Sequence, residues 1–403
     1  MKQHILKDII KPNKRTATQR ALLNLFIMQG EATIPELSKE LGVSIPTVTK
    51  SLNELIDKGL VHEVGKRDNS SGRIPTIYNL IPSSGYFIGI DPTIDSLAFG
   101  ICDFCGNMVY RKTGIPYHYS DTPECLNSLV NMLREFIGEL TIDKSLIYGV
   151  CMNVAERVNI NEGTAYNKYT FLEKPLAQAL TDAIGYPVYI ENDSRSMTYA
   201  EYLQGCCRGE KNVVFVNIGW GLGMGMVIDG KLYSGKSGYS GEIGHMSVYD
   251  NDIICHCGKL GCMETEVSGL ALQRKLTKLL QEGGQSILSD KVVNQKQTLT
   301  LQDILDAITR EDVLCIEALQ KVADELGKNL AGVINIFNPD LLVIGGDLSV
   351  TGDYLIQPVR MGIKKYSLNV VNEDSRIVVS DLKEQAGLVG ACLMARHKIL
   401  SEN

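Results

Sequence analysis

A short cysteine-rich segment constrains this chain more than any other feature. Three thiols and one imidazole lie close together in it, with glycines between the last two cysteines: His245, Cys255, Cys257, Gly258, Gly261 and Cys262. These side chains match the ligand set of a tetrahedral zinc site, and glycines let a short loop fold back on one ion. Because protein atoms would fill all four positions, we predict a structural Zn²⁺ rather than a hydrolytic one.

Two alternatives stay open for this segment. Buried free cysteines behave as small hydrophobic residues, so the three thiols need not bind a metal. His256 also competes with His245 as the fourth ligand, although it lies between two ligating cysteines and is expected to point away. The polar, glycine-rich composition of the loop favours the metal site over a buried apolar cluster.

The same segment resembles the signature of a known family. Gly241-Glu-Ile-Gly-His245, followed by Cys-x-Cys-Gly-x-x-Gly-Cys-x-Glu, resembles the ROK family of repressors, open reading frames and sugar kinases. The resemblance runs from about residue 15 to the C-terminus. It implies an α/β fold with a two-lobed actin/hexokinase-like (ribonuclease H-like) domain. The extra N-terminal region resembles the repressor branch, which includes xylose and N-acetylglucosamine repressors.

Composition sets the broad class of the protein. With 403 residues and 44% hydrophobic content, the chain has enough apolar surface to bury two or three cores. The sequence contains no apolar run of 18 residues and no signal-peptide pattern, so we expect no membrane location. The 11 cysteines form no disulfide-like framework, so we expect a reducing cytoplasm.

Charge is distributed unevenly along the chain. Residues 1–80 contain 12 Lys and Arg against 8 Asp and Glu, a net charge of +4. The remaining residues contain 28 against 39, a net charge of −11. A basic N-terminal part on an acidic body is typical of a small DNA-binding module joined to a domain that binds something else. We therefore predict a winged helix-turn-helix domain over 1–81 and a ROK sugar-kinase-like domain over 86–403, with lobes at about 86–200 and 201–403.

Local patterns in the N-terminal part support the winged helix. Residues 16–28 have the apolar spacing of a helix, and Thr33-Ile-Pro-Glu36 has the pattern of a capping box. A second helix follows Gly42, with Ser44 as its N-cap and an end near Lys58. From Val61 to Leu80 apolar and polar residues alternate around a polar tip, which predicts a wing hairpin.

The second of these helices is the candidate DNA-recognition helix. Its outward side chains are hydroxyls, an amide and a lysine, which suit base edges and phosphates in a major groove: Ser44, Thr47, Thr49, Lys50 and Asn53. Arg73, at the base of the wing, suits a narrow A·T-rich minor groove. The alternative is a winged helix that contacts protein, with these residues a solvated face.

The phosphate loops implied by the resemblance are altered. By this resemblance, Asp91-Pro-Thr-Ile-Asp95 lies where kinases of the family have the motif Asp-x-Gly-Gly-Thr. Both glycines of the motif are absent here, and a carboxylate is added. A carboxylate beside a polyphosphate opposes binding by charge repulsion. In the second phosphate loop, Trp220 lies at the position where, by the same resemblance, the kinases have threonine. We therefore expect no ATP turnover and no enzyme activity.

The sugar side of the site matches the family more closely. Asn192-Asp193 matches the family's Asn-Asp pair, in which the aspartate is the general base of the kinases. Glu242, His245 and Glu264 match positions that contact the sugar, so His245 would serve both metal and sugar. Alternatively, Asn192, Asp193 and Glu242 only cap helices and fix loops. The family's Pro-Gly-x-Val loop is replaced by a segment containing Glu156 and Arg157, which would narrow or recharge the pocket. Two alternatives follow: the ligand is an acidic or phosphorylated sugar, or the pocket is closed.

These features predict a sugar-responsive transcriptional repressor of carbohydrate-utilisation genes. It would bind operator double-stranded DNA as a homodimer or dimer of dimers, with a small-molecule sugar as effector. The joint between head and body, Pro82-Ser-Ser-Gly85, is too short to be a flexible tether, so the two parts should be coupled. Two alternatives remain: an active ROK-type sugar kinase with a regulatory head, and a ligand-free regulator whose body is a dimerisation scaffold.

Overall fold

A computed structural model describes residues 14–66 and 75–401. The N-terminal domain contains helices α1 (Lys14–Gln29), α2 (Ile34–Leu41) and α3 (Ile45–Asp57). Strands β1 (Ala32–Thr33), β2 (Val61–Lys66) and β3 (Thr76–Leu80) form one sheet in the order β1-β3-β2. This arrangement confirms the predicted helix-turn-helix with a β2–β3 wing, whose tip and Arg73 lie outside the described residues.

Local sequence determines where these helices begin and end. The hydroxyl of Thr33 accepts from the Glu36 amide, and the Glu36 carboxylate accepts from the Thr33 amide at 2.8 Å, which confirms the capping box. At the other end of α2, Gly42 adopts a left-handed conformation with φ of 64°. Helix α3 buries Val48, Leu52 and Leu55 completely and so presents its opposite side to solvent.

The chain divides into two compact units, and the first of them includes the N-terminal domain. The first contains residues up to Ser196 together with Gly387–Asn403, and the second contains Met197–Ala386. The predicted lobe bounds differ in one respect, because they assigned the C-terminal residues to the second lobe. A Cβ on Gly89 would lie 2.7 Å from the Cys392 nitrogen, so β-sheet and C-terminal helix pack backbone against backbone in the first unit.

The first unit is built on a mixed five-stranded sheet. Its strand order is β10-β7-β4-β5-β6. The strands are β4 (Tyr86–Pro92), β5 (Ser96–Asp103), β6 (Met108–Pro116), β7 (Ile147–Val154) and β10 (Val188–Asn192), with a small hairpin of β8 (Val158–Asn159) and β9 (Thr164–Ala165). The helices are α4 (Pro123–Glu139), α5 (Leu176–Ile184), the start of α6 (Asp193–Gln204) and α12 (Ala386–Ser401). Buried side chains of α4, including Leu129 and Phe136, pack against the strands.

The second unit repeats the pattern of strand, tight turn and strand. Its sheet has the order β13-β12-β11-β14-β15. The strands are β11 (Val213–Ile218), β12 (Leu222–Ile228), β13 (Lys231–Leu232), β14 (Leu341–Gly345) and β15 (Arg376–Val379). The helices are α7 (Gly269–Gln281), α8 (Leu301–Thr309), α9 (Val313–Phe337), α10 (Asp353–Tyr366) and α11 (Asn369–Asp374). The two similar sheets confirm the predicted α/β class and duplicated lobes. Among the described residues, no helix is both long and apolar enough to span a bilayer.

Candidate functional site

The four predicted metal ligands come together in the second unit. The candidate ligand atoms of His245, Cys255, Cys257 and Cys262 all lie within 4.8 Å of one another. The sulfurs of Cys257 and Cys262 are 3.6 Å apart, and the Cys255 sulfur is 3.6 Å from His245 Nδ1. Bond lengths of about 2.3 Å to sulfur and about 2.0 Å to nitrogen place tetrahedral zinc ligands roughly 3.5–3.8 Å apart. The residues present therefore fit a zinc ion.

Backbone geometry explains why these side chains converge. The Cys255 amide donates to the Lys259 carbonyl at 2.9 Å, which closes a tight turn around Cys257. Gly261 has φ of 71°, and a Cβ there would lie 2.2 Å from the Tyr249 carbonyl oxygen. A side chain at this position would push the loop away from its neighbour, so glycine is needed for the loop to return to the metal ligands.

His256 occupies a different position from His245. Its Nδ1 is 2.9 Å from Glu264 Oε1 and 3.7 Å from the Cys255 sulfur, and its side chain is half exposed. With Cys255 and Glu264 it forms a second, three-membered group of potential ligands. It therefore does not point away from the segment. The group of four potential ligands nevertheless includes His245 and not His256.

The second unit also holds three predicted sugar residues around this centre. His245 turns Nδ1 towards Cys255 and Nε2 towards Glu242, whose Oε2 is 3.8 Å away. Glu264 Oε2 accepts a hydrogen bond from the Leu222 amide at 2.9 Å. This bond connects the cysteine-rich loop to the start of β12. The two ring nitrogens of His245 therefore face different groups, and the predicted role of this ring towards both metal and sugar stays a prediction.

In the first unit, Asn192 and Asp193 stand where β10 ends and α6 begins. The Asn192 side-chain oxygen accepts from the Arg195 amide at 3.1 Å, and its Nδ2 donates to Asp193 Oδ1 at 3.1 Å. Asp193 Oδ1 also accepts from the Ser194 amide at 2.7 Å. Burial raises the pKa of Asp193, and the Ser194 hydrogen bonds act against that shift. Helix capping is therefore part of what this pair does, and the predicted sugar-binding role stays a prediction.

The altered loop after β7 contains its own ion pair. Arg157 Nε donates to Glu156 Oε1 at 2.9 Å, and the Arg157 guanidinium lies 4.4 Å from the centroid of the Tyr166 ring. The backbone carbonyl of Glu156 accepts from Asn192 Nδ2 at 3.4 Å, which joins this loop to the Asn-Asp pair. The charges of Glu156 and Arg157, which were expected to change the charge of the pocket, therefore largely neutralise each other.

Sequence reasoning missed one charged residue in this part of the first unit. The half-buried Lys168 interacts electrostatically with Glu156 and Asp193. It lies in an irregular loop between β9 and α5, where no periodicity or motif distinguishes it from a surface lysine. The left-handed backbone conformations of Asn167 and Tyr169, on either side, cannot be inferred from residue type.

Each unit places a carboxylate at its altered phosphate loop. In the first, Asp91 turns inward and accepts from Asn153 Nδ2 at 2.8 Å, while the Asp95 side chain is 68% exposed at the turn. In the second, a Cβ on Gly219 would lie 2.9 Å from Asp347 Oδ2. Nearby, the Gly219 and Trp220 carbonyls accept from the first two amides of α7, at 2.8 and 3.1 Å. Those helix amides are therefore unavailable to a phosphate.

Four of the five candidate DNA residues on the recognition helix project into solvent. These are the N-cap residue Ser44 and, within α3, Thr47, Lys50 and Asn53, all of which are exposed. Thr49 is half-buried, and its hydroxyl donates to the Ile45 carbonyl at 2.9 Å. The Ser44 hydroxyl bonds the Thr47 hydroxyl at 2.8 Å and makes no helix-capping bond. Ser44 is the N-cap by position, but the expected capping contact is absent from the described helix.

The joint between the N-terminal domain and the rest of the first unit is hydrogen-bonded to several elements. The Phe104 amide donates to the Pro82 carbonyl at 3.0 Å, and the buried Arg396 of α12 donates to the Phe104 carbonyl at 3.1 Å. Tyr148 Oη donates to the Ser84 carbonyl at 3.3 Å. Because the joint is hydrogen-bonded along its length, it is a fixed connection rather than a flexible tether.

Comparison with family models matches both parts of the chain. The model described as "ROK family" matches residues 87–398. The model described as "Sugar-specific transcriptional regulator TrmB" matches residues 19–84, which contain the winged helix.

Individual relatives resemble the chain over different lengths. A xylose repressor of Caldicellulosiruptor bescii is 27% identical over 91% of this chain and 92% of its own length. The crystal structure of a ROK family transcriptional regulator, a homologue of the E. coli MLC protein, has a TM-score of 0.79 and 27% identity, covering 96% of both chains. A ROK family glucokinase from Streptomyces griseus, solved with glucose and AMPPNP, has a TM-score of 0.66 and 25% identity. It covers 78% of this chain and 100% of its own.

Proposed function

Because the chain belongs to the ROK family, we propose that it is a sugar-responsive transcriptional repressor acting in the cytoplasm. One observation carries the proposal: a helix-turn-helix with an exposed polar face is fixed by a short, hydrogen-bonded joint to a sugar-kinase-type domain. The relatives that match both parts of the chain carry names of repressors or regulators, which supports the same function. The C. bescii relative makes D-xylose the first sugar to test.

The sugar effector is proposed to bind the residues that match the family's sugar positions: Asn192, Asp193, Glu242, His245 and Glu264. Carboxylates, an amide and an imidazole suit a polyol because each exchanges hydrogen bonds with several hydroxyls. A zinc ion held by His245, Cys255, Cys257 and Cys262 would cross-link the loop that carries Glu264. Its role would be structural, since it would fix the ring of His245 and the loop around it.

Operator binding is proposed to need two copies of the chain. A helix-turn-helix reads one half-site, and two recognition helices must lie about one DNA turn apart on a palindromic operator. A homodimer, or a dimer of dimers, meets that requirement. Ser44, Thr47, Lys50, Asn53 and the wing residue Arg73 would contact DNA, with Thr49 mainly supporting the helix.

Sequencing the DNA fragments that the purified protein selects from genomic DNA tests the proposal. We expect a palindromic sequence beside genes of carbohydrate use, with nanomolar affinity, on the order of 10⁻⁸ M, at physiological salt. Selection of no sequence above the non-specific background, by protein that is folded and dimeric, would reject DNA binding as the function.

A working sugar kinase with a regulatory head is the second candidate. The match of Asp193 to the kinase base and the likeness to a glucokinase favour it. The carboxylates at both phosphate loops oppose it, because each repels a polyphosphate. Incubation with ATP and a panel of aldoses distinguishes the two: turnover at about 1 s⁻¹ or faster would favour the kinase. Absence of any sugar-induced shift in melting temperature would instead favour a ligand-free scaffold.

A further inference from the structure

His256 lies at the unspecified position of the cysteine motif, yet a specific contact holds its side chain. It is the x of Cys-x-Cys, where the motif requires no particular residue. Its Nδ1 lies 2.9 Å from Oε1 of Glu264, a carboxylate whose side chain is only 12% exposed. Its ring also packs edge-on against the ring of His245, with centroids 5.2 Å apart. One edge of the half-exposed His256 ring therefore faces the interior of the cysteine-rich loop.

Glu264 is confined on its other side by the backbone before β12. Its Oε2 accepts a hydrogen bond from the Leu222 amide at 2.9 Å. A Cβ on Gly221 would lie 2.7 Å from the same oxygen, so glycine is needed there for the carboxylate to come this close to the backbone. With Oε1 against His256 and Oε2 against Leu222, both oxygens have a defined neighbour. The orientation of the carboxylate is therefore set by these two contacts.

The chemistry of the loop makes His256 the donor to Oε1. The sulfur of Cys255 also lies near this oxygen, at 3.8 Å. A thiol loses its proton when it binds a metal, so Cys255 as a zinc ligand would have no hydrogen to donate. Three thiolates outweigh the charge of one Zn²⁺, so a loaded centre would be negative and would repel the nearby carboxylate. His256 Nδ1 lies 3.7 Å from the Cys255 sulfur and 2.9 Å from Oε1, between these two negative groups.

These contacts join two of the predicted sugar carboxylates in one row of side chains. Glu242 Oε2 lies 3.8 Å from His245 Nε2, the His245 ring packs against His256, and His256 contacts Glu264. All four residues belong to the second unit. His245 also keeps its own contact with Cys255, at 3.6 Å from Nδ1. A change at His256 should therefore act on Glu264 and leave the predicted zinc ligands in place.

We propose that His256 is a positioning residue of the sugar site, whose Nδ1–H holds the Glu264 carboxylate in the orientation that accepts from a sugar hydroxyl. This inference rests on the proposed function, in which Glu264 contacts the sugar. A carboxylate has about four lone-pair directions, and the contacts with His256 and Leu222 use about two of them. The others are directed by those contacts, so a sugar meets an acceptor that is already oriented and that loses little side-chain freedom on binding.

Affinity measurements on three variants test the role of this histidine. Calorimetric titrations use D-xylose, D-glucose and N-acetyl-D-glucosamine. For the sugar that binds wild type, His256→Ala should weaken binding by about 3- to 10-fold, a modest loss because the ring is half exposed. His256→Asn places an amide N–H near the position of Nδ1 and should recover most of the affinity. His118→Ala removes an exposed histidine that lies 3.3 Å from Asp95, and should bind as wild type does.

The outcomes separate this inference from the proposed function. Elemental analysis should find the same zinc content in all these variants, and a loss of zinc in His256→Ala would show that the residue acts through the metal instead. If the sugar binds His256→Ala as tightly as wild type, or His256→Asn as weakly as His256→Ala, the inference is wrong and the repressor function stands. If sugar affinity depends on His256 but operator affinity ignores the sugar, the inference stands and the sensor function fails.

A measurement without ligand decides the case in which none of these sugars binds. Long-range ¹H–¹⁵N NMR spectra distinguish a histidine nitrogen that carries a proton from one that does not, and the signals missing from His256→Asn identify His256. We expect its Nδ1 to carry a proton, and the signal of this nitrogen to shift in Glu264→Ala but not in His118→Ala. An Nδ1 without a proton, or a signal that ignores Glu264→Ala, would overturn the proposal.

Discussion

Cys257 and Cys262 provide the sharpest test at the scale of single residues. Their sulfurs are 3.6 Å apart within a four-ligand group, so removing both should abolish metal binding. We expect about one zinc per chain in wild type, because three thiolates and an imidazole complete a tetrahedral site. The Cys257→Ala, Cys262→Ala double variant should contain close to none. Elemental analysis of protein purified without added zinc measures this.

Matched substitutions of other thiols control for that experiment. Cys206 and Cys207 are a half-buried pair outside the metal group, so their replacement by alanine should leave the zinc content unchanged. His256→Ala tests the competing ligand and should also retain zinc, whereas His245→Ala should weaken its binding. Full zinc retention without Cys257 and Cys262 would disprove the metal site.

Lys50 is the residue at which DNA affinity can be tested most simply. It is exposed on α3, and its charge is expected to neutralise a phosphate. Lys50→Ala should weaken operator binding with or without sugar, and should lower the slope of log affinity against log salt by about 1 per half-site. Lys328→Ala removes the same charge from an exposed site in the second unit and should change neither quantity. Equal effects of the two variants would mean that operator affinity depends only on the net charge of the protein and not on the position of Lys50.

At the scale of elements, the two N-caps of the helix-turn-helix should differ in their effect on stability. Thr33→Ala removes a capping box and should lower the stability of α2 by about 1 kcal/mol. Ser44→Ala should have little effect, because the Ser44 hydroxyl makes no capping bond. Hydrogen-exchange mass spectrometry measures this as faster exchange of α2 amides in Thr33→Ala, by about fivefold. Similar exchange in the two variants would contradict the described capping.

The elements that were predicted well are those with strong local signals. Capping residues, glycine stops and apolar periodicity identified α1, α2 and α3 to within a residue or two. The metal ligands were also predictable, because residue type and spacing nearly determine a zinc loop. The lack of a capping bond at Ser44 was not predictable, because its hydroxyl bonds the Thr47 hydroxyl instead, and residue type does not decide between these two partners.

Features that depend on distant parts of the chain were not predictable. The C-terminal helix α12 packs against β4 of the first unit, at Cys392 and Gly89, two residues that lie far apart in the sequence. Lys168 was missed because its ammonium lies over the ring of Tyr119, a residue that comes much earlier in the chain. Periodicity and motifs describe neighbours along the chain, whereas these contacts form only in the folded unit.

At the scale of the whole molecule, the proposal separates the residues that sense sugar from those that hold DNA. Asp193→Ala should bind operator as wild type does but lose the response to sugar, since Asp193 lies in the ROK domain and not on the recognition helix. Fluorescence anisotropy of labelled operator, with and without sugar, measures both properties. A loss of operator affinity in Asp193→Ala without sugar would indicate that this residue supports the fold rather than the ligand.

The central claim is that sugar binding and operator binding are linked within one chain, and it can be tested directly. Operator affinity of the wild-type protein should be measured at fixed salt, first without sugar and then with a saturating concentration of the sugar that calorimetry shows to bind. We expect the affinity to change by about 5- to 150-fold, which corresponds to a coupling free energy of roughly 1–3 kcal/mol. An operator affinity that stays the same while the sugar is bound would contradict the account.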